Sequence, residues 1–212
     1  MNVVPAWKLC AGAPSIIVAI TDEGVQYDHE DLKNNMWVNK AELNGTSGVD
    51  DDDNGYKDDV YGFNFVLNKG NITWNASEDT GHGTHVAGIV AAENNNGKGV
   101  CGIAGGSGTG DGVKLMSIQI FSGENGVTNS GMARAMQYAA DNGALISQNS
   151  WGYTSADAEG YPSYYLGPGN DKEYKQQLSS EAAAMDYFVK NAGGEDSPID
   201  GGLLIFAAGN DT

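Results

Sequence analysis

Residues 16–20 are an unbroken apolar, mostly β-branched run, Ile16-Ile17-Val18-Ala19-Ile20, that passes through Thr21 and stops at Asp22. A strand with one wet face alternates apolar and polar side chains. A strand without alternation is buried on both faces, as in a parallel sheet. Parallel strands cannot be joined by hairpins and need crossover segments, usually helices. The rest of the chain supplies that alternation. Residues 60–66, 113–121, 144–149 and 203–208 read as strands, and 100–104 as a strand or turn. Residues 82–92, 128–141 and 180–191 read as helices. The second of these carries Met132, Ala135, Met136 and Ala139 on one stripe, with Thr128, Asn129 or Ser130 as caps. Ser179 is the expected cap of the third. Residues 1–14, 26–59 and 153–175 read as irregular or loop segments. The expected fold is therefore α/β: a doubly wound, mostly parallel sheet with helices on both faces, in a single domain spanning residues 1–212.

In such sheets, functional groups gather at the carboxyl ends of the strands. Asp22, Ser150 and Asn210 all fall there, and His82 opens a helix. A histidine serves as a general base near neutral pH because its unperturbed pKa is about 6.5. An Asp accepting from its other ring nitrogen fixes the tautomer. An amide such as Asn210 can donate to a developing oxyanion.

Charge narrows the classes. The net charge is −17, from 28 acidic and 11 basic side chains, which argues against nucleic-acid and anionic-membrane partners. No apolar run approaches the roughly 20 residues of a membrane span. Cys10 and Cys101 are too few for a disulfide framework. The acid is concentrated in Asp50-Asp51-Asp52-Asp53-Asn54-Gly55-Tyr56-Lys57-Asp58-Asp59. Counted from Asp50, oxygen donors stand at positions 1, 3 and 5 (Asp50, Asp52, Asn54), a turn glycine follows, and Asp58 stands at position 9. Tyr61 occupies position 12 in place of a bidentate Glu, so this is not an EF-hand. The crowded carboxylates are expected to hold calcium through Asp50, Asp52, Asn54 and Asp58; a solvated acidic turn is the alternative.

At this point four segments carry a family resemblance. Val18-Ala19-Ile20-Thr21-Asp22-Glu23-Gly24-Val25 followed by His29-Glu30-Asp31-Leu32, and Gly81-His82-Gly83-Thr84-His85-Val86-Ala87-Gly88, resemble the Asp and His motifs of the subtilisin-like serine proteases. Asn149-Ser150-Trp151-Gly152 resembles their substrate-binding strand, and Phe206-Ala207-Ala208-Gly209-Asn210 the segment with the oxyanion-hole Asn. The resemblance implies that Asp22 orients, His82 is the base and Asn210 donates to the oxyanion. It implies a polypeptide substrate paired as an extended strand with Ser150, Trp151 and Gly152, with residues 123–127, around Gly126, as the opposite rail. Asp31 and Asn95 match positions of a structural calcium, although the loop after Asn95 looks one residue longer. The implied location is secreted or extracytoplasmic.

Two departures stand out. The family's Gly-Thr-Ser-Met-Ala-x-Pro nucleophile segment is not found after Asn210, and Gly45-Thr46-Ser47 precedes His82 in a polar loop. The chain thus reads as a catalytic domain cut after the oxyanion-hole strand, inactive alone, with the serine segment absent or on a separate chain. A non-catalytic peptide-binding relative is the alternative. The other departure is Glu23, where the family usually has a small hydroxylated residue; it is expected either to alter Asp22 or to face solvent. A metal centre on His82 and His85 is disfavoured, because His-x-x-His lacks the Glu and the i,i+4 spacing of a metalloprotease helix. His85 is expected to be buried and hydrogen-bonded.

Overall fold

β1 (Ile17–Glu23) is the middle strand of the sheet, and six of its seven residues are buried. The computed structural model describes residues 2–75, 77, 79–123, 125–154, 167–194 and 197–210. Among these, the strands β2 (Gly62–Asn64), β3 (Lys114–Ser122), β5 (Ile146–Asn149) and β6 (Leu203–Phe206) join β1 in the order β2-β3-β1-β5-β6. Every pairing along that path is parallel. The two-residue β4 (Asn125–Gly126) folds back antiparallel on the end of β3. The unalternating run at residues 16–20 is thus explained by helices on both sides of it.

One face is covered by α4 (Asn129–Asp141) and α6 (Ser179–Asn191). Met132, Ala135, Met136 and Tyr138 of α4 and Phe188 of α6 pack with Ala19, Met116, Ile118 and Ile120. The other face carries α3 (His82–Ala91), whose Val86, Ala87 and Ala91 meet Val18, Ile20 and Leu115. β6 lies at an edge, and Leu203, Ile205 and Phe206 are exposed there.

Local chemistry sets the element ends. The Thr128 hydroxyl accepts from Gly131 N–H and caps α4, and Gly143, at φ +81°, ends the turn beyond it. Residues 100–104 form a turn, not a strand. Gly102, Ile103 and Ala104 donate their N–H groups to Ala92, Ile89 and Val90 carbonyls, filling acceptors left open at the end of α3. Several segments expected to be irregular contain short helices: α1 (Val4–Trp7), a 3-10 turn at Lys33–Asn35, α2 (Lys40–Asn44) and α5 (Asp171–Gln177). Asn170 caps α5 through Lys172 and Glu173 N–H, and only Leu178 separates α5 from α6, so Ser179 caps nothing. The strand expected at 60–66 is ordered only over Gly62–Asn64. The middle of the 153–175 segment, residues 155–166, lies outside the described residues. Among the described residues, no helix is long and apolar enough to cross a membrane.

Candidate active site

Asp22 is the penultimate residue of β1, and its side chain is almost fully buried. α3 starts beside it because two glycines remove obstacles. Gly81, at φ +78°, turns the chain into the helix. Gly83 lies so near the strand that a Cβ there would stand 2.2 Å from the Glu23 carbonyl oxygen. This approach brings His82 Nδ1 to 2.7 Å from Asp22 Oδ1. The imidazole is half exposed while the carboxylate is 4% exposed. Asp22 Oδ1 also accepts from Glu23 N–H, and Oδ2 is buried with no partner among the described residues. Burial pushes the Asp22 carboxyl above its usual range; hydrogen bonds from His82 and Glu23 N–H pull against this, and the Glu23 charge adds to it. The Asp22–His82 pair expected from the motifs is thus brought together, and the second ring nitrogen has no partner among the described residues.

Glu23 neither faces solvent nor merely perturbs its neighbour. It is 8% exposed, and its carboxylate accepts from Thr80 N–H, the Thr80 hydroxyl and His82 N–H, all at 3.1 Å.

Because β1, β5 and β6 run parallel, the segments carrying Ser150-Trp151-Gly152 and Asn210 leave the sheet at the same carboxyl end of the strands as Asp22; Thr21 is level with Asn149, and Asn149 with Phe206. Gly126 stands on β4 opposite Phe121. Trp151 packs edge-on against Phe121, Tyr153 and Phe206, so an aromatic patch joins the segment after β5 to the β3–β4 turn. The Tyr153 and Tyr174 hydroxyls both donate to the fully buried Glu181, at 2.7 and 2.8 Å. That carboxylate anchors the segment leaving Gly152 to α5 and α6. Asn210 is exposed.

The expected cation ligands are rearranged. Asp50 accepts from Asn54 and Gly55 N–H, and Asp58 from Gly48 N–H, so both are engaged with loop backbone. Asp52 instead meets Glu42 and Asp59, with candidate ligand oxygens within 4.8 Å of one another. Asn54 contacts this group through hydrogen bonds to Asp52 and Asp59. Glu42 and Asp59 are buried. Burial pushes the Asp59 carboxyl up; hydrogen bonds from Tyr138 and Asn54 oppose this, and the charges of Asp52 and Glu42 add to it. Glu42 escaped the spacing argument because it comes from α2, outside the ten-residue acidic segment. At the other expected site, Asp31 meets Asn96, at 2.6 Å, and Val100 N–H, while Asn95 turns away to the Ser107 carbonyl. His85 is exposed, contrary to the buried role expected for it.

Comparisons with known proteins agree with this fold. Residues 14–212 match the profile of Peptidase S8, the subtilase family. Subtilisin-like protease 1 of Plasmodium vivax is 51% identical over 88 residues, covering 42% of this chain and 13% of that protein. A halolysin-like extracellular serine protease of Natrialba magadii is 32% identical over 152 residues, covering 72% of this chain and 23% of that protein. The chain thus spans less than a quarter of the length of either relative. Among solved structures, a serine protease of Aeromonas sobria in complex with its chaperone superimposes with a TM-score of 0.61 at 20% identity, over 96% of this chain and 26% of the other. With the sheet order, the Asp–His contact and a match over nearly its whole length, the chain belongs to the subtilase family.

Proposed function

We propose that these residues form part of the catalytic domain of a serine endopeptidase, acting through an Asp-His-Ser triad whose serine comes from outside residues 1–212. The observation that carries this is the 2.7 Å contact between His82 Nδ1 and the buried Asp22, with Nε2 free of partners among the described residues. Asp22 holds the Nδ1–H tautomer, so Nε2 keeps the lone pair that removes a serine proton, and it stabilises the imidazolium that results. Nε2 then returns the proton to the leaving amine. Asn210 donates to the oxyanion; the loss of such a donor is known from subtilisin, another member of the family, where it costs roughly 2.7–4 kcal/mol. The polypeptide substrate lies between Ser150-Trp151-Gly152 and Gly126 and pairs with both by strand addition. Secretion is the proposed setting, supported by the extracellular relative of Natrialba magadii.

A fluorophosphonate probe tests this reading. In the complete protein it should label one serine, and it should leave the isolated 212-residue chain unlabelled. Labelling of the isolated chain would mean that another serine is the nucleophile. A complete protein that binds peptide but takes no label would be a non-catalytic relative.

The acidic loop is proposed to hold calcium. Three convergent carboxylates, two of them buried, form an all-oxygen donor set suited to a hard cation. Glu42, Asp52 and Asp59 would hold the ion, with Asn54 alongside, and the ion would offset both the burial that chiefly raises Asp59 and the added repulsion from Asp52 and Glu42. Asp50 and Asp58 accept from loop backbone N–H groups, Glu42 also accepts from Asp51 and Asp58 N–H, and Asp31 accepts from the Asn96 side chain and Val100 N–H. Chelation of a protein otherwise kept at a hundredfold excess of calcium over Kd should remove about 2.7 kcal/mol of stability. For a domain of this size that is a Tm drop of about 5–10 °C. An unchanged Tm after exhaustive chelation would remove the assignment.

A further inference from the structure

We propose that Glu23 is a positioning residue for His82: its carboxylate holds the histidine backbone while the adjacent Asp22 holds the ring. The proposal rests on the reading of His82 as the base.

Successive side chains of a strand point to opposite faces, so Asp22 and Glu23 should not both reach one residue. A bulge resolves this. Asp22 is level with Gln119 of β3, but Glu23 is level with Phe121, which leaves Ile120 without a counterpart. Such an irregularity bends the pair and re-aims a side chain. At this point both carboxylates turn toward residues 80–82: Asp22 to the ring at 2.7 Å, Glu23 to the His82 N–H at 3.1 Å.

The helix start needs such a partner. The first N–H groups of a helix have no acceptor within it. The cap position of α3 is Gly81, which has no side chain to offer. Glu23 supplies the nearer acceptor for His82 N–H from the neighbouring strand, at 3.1 Å, with the Thr80 hydroxyl that it holds as a second acceptor at 3.3 Å, and its negative charge suits the positive end of a ten-residue helix. It also accepts both donors of Thr80, which fixes the residue before the turn. No salt bridge to a cationic side chain competes for this carboxylate among the described residues. Gly83 then rests on the Glu23 carbonyl. Backbone, ring and helix axis are thus all referred to two consecutive residues of β1. A shift of about 1 Å in a catalytic group lowers rate by about 100-fold, so the bond to the His82 backbone bears on kcat.

The test uses the complete protein. Glu23→Ala should lower kcat by about 10- to 100-fold per titrated active site, with KM changed less than about twofold. Glu23→Gln keeps an oxygen acceptor at the same reach and should restore kcat to within about threefold of the parent. Proton NMR supplies a readout independent of turnover. The low-field Nδ1–H signal of His82 should be sharp in the parent and the Gln variant, and broadened or shifted upfield in the Ala variant. Glu23→Met fills the same space without an acceptor, and should reproduce the Ala result if Ala fails to fold. Parent-like kcat and signal in the Ala and Met variants would overturn the proposal. So would a Gln variant as impaired as Ala, since the charge and not the acceptor would then matter. If the parent shows no peptidase activity, the endopeptidase reading fails, while the NMR signals still decide whether Glu23 positions His82.

Discussion

Asp22→Asn in the complete protein is expected to lower kcat by about 10⁴-fold, the loss seen when the Asp of a serine-protease triad becomes an amide. That is about 5.4 kcal/mol of transition-state stabilisation. An amide facing Nδ1 donates as readily as it accepts, so the imidazole takes the tautomer with its proton on Nε2 and loses its capacity as a base. Stability should move the other way. Asp22 sits 3% exposed with one oxygen unpartnered among the described residues, and burial raises its pKa. The sign follows from linkage. A carboxyl whose folded pKa lies above its unfolded value binds its proton more tightly in the folded state, so its ionised form subtracts from stability at neutral pH. An amide carries no such charge. Titrated kcat and a thermal melt on the same sample check both arms, with Tm expected to be unchanged or higher. A Tm several degrees lower would show that Asp22 holds the fold together and would detach the rate loss from the tautomer.

Gly83→Ala should damage fold and site together. The added Cβ would lie 2.2 Å from the Glu23 oxygen and 2.8 Å from its carbonyl carbon, both backbone atoms that cannot rotate away. Relief requires α3 to back off the end of β1. Overpacking of this kind costs about 1–3 kcal/mol. The displacement separates His82 from Asp22 and Glu23 by about 1 Å, and kcat should fall by about 100-fold. A melt and a titrated rate measure the two effects. Parent-like values in both would mean that α3 can shift without disturbing the dyad, against the geometry described.

How much of the fold and site is legible in the sequence depends on how local the cause is. The buried central strand shows in residues 16–20 because burial on both faces erases alternation. The α4 stripe and its Thr128 cap show because both act within one helix. Asp22 and His82 lie 60 residues apart, yet both sit in motifs whose glycines and strand ends announce their positions. The departures have a common physical origin. Residues 100–104, open between strand and turn in the sequence, form a turn because Gly102, Ile103 and Ala104 N–H groups are taken by the end of α3. The segment 153–175 is rich in turn residues, yet Asn170 caps a helix within it. The motif around His85 suggests an interior side chain, although it falls on the outer side of α3.

The sequence by itself determined the sheet class, the family motifs, the Asp–His dyad and the crowding of acid at residues 50–59. The sheet class and the acid crowding follow from local composition and patterning, whereas the pairing of Asp22 with His82 is what the resemblance of two separate motifs implies. Tertiary structure decided which carboxylates converge and what each one holds. Glu42 joins Asp52 and Asp59 because α2 packs beside the acidic loop, while Asp50 and Asp58 turn to backbone N–H groups. Asn96, and not Asn95, reaches Asp31, while Asn95 donates to the Ser107 carbonyl. Glu23 turns toward His82 because β3 has one more residue than β1 at that point. The physical reason is the same in each case. A side chain's direction is set by the path and register of the backbone on both sides of a contact, and the partner's half of that information lies in a segment remote along the chain.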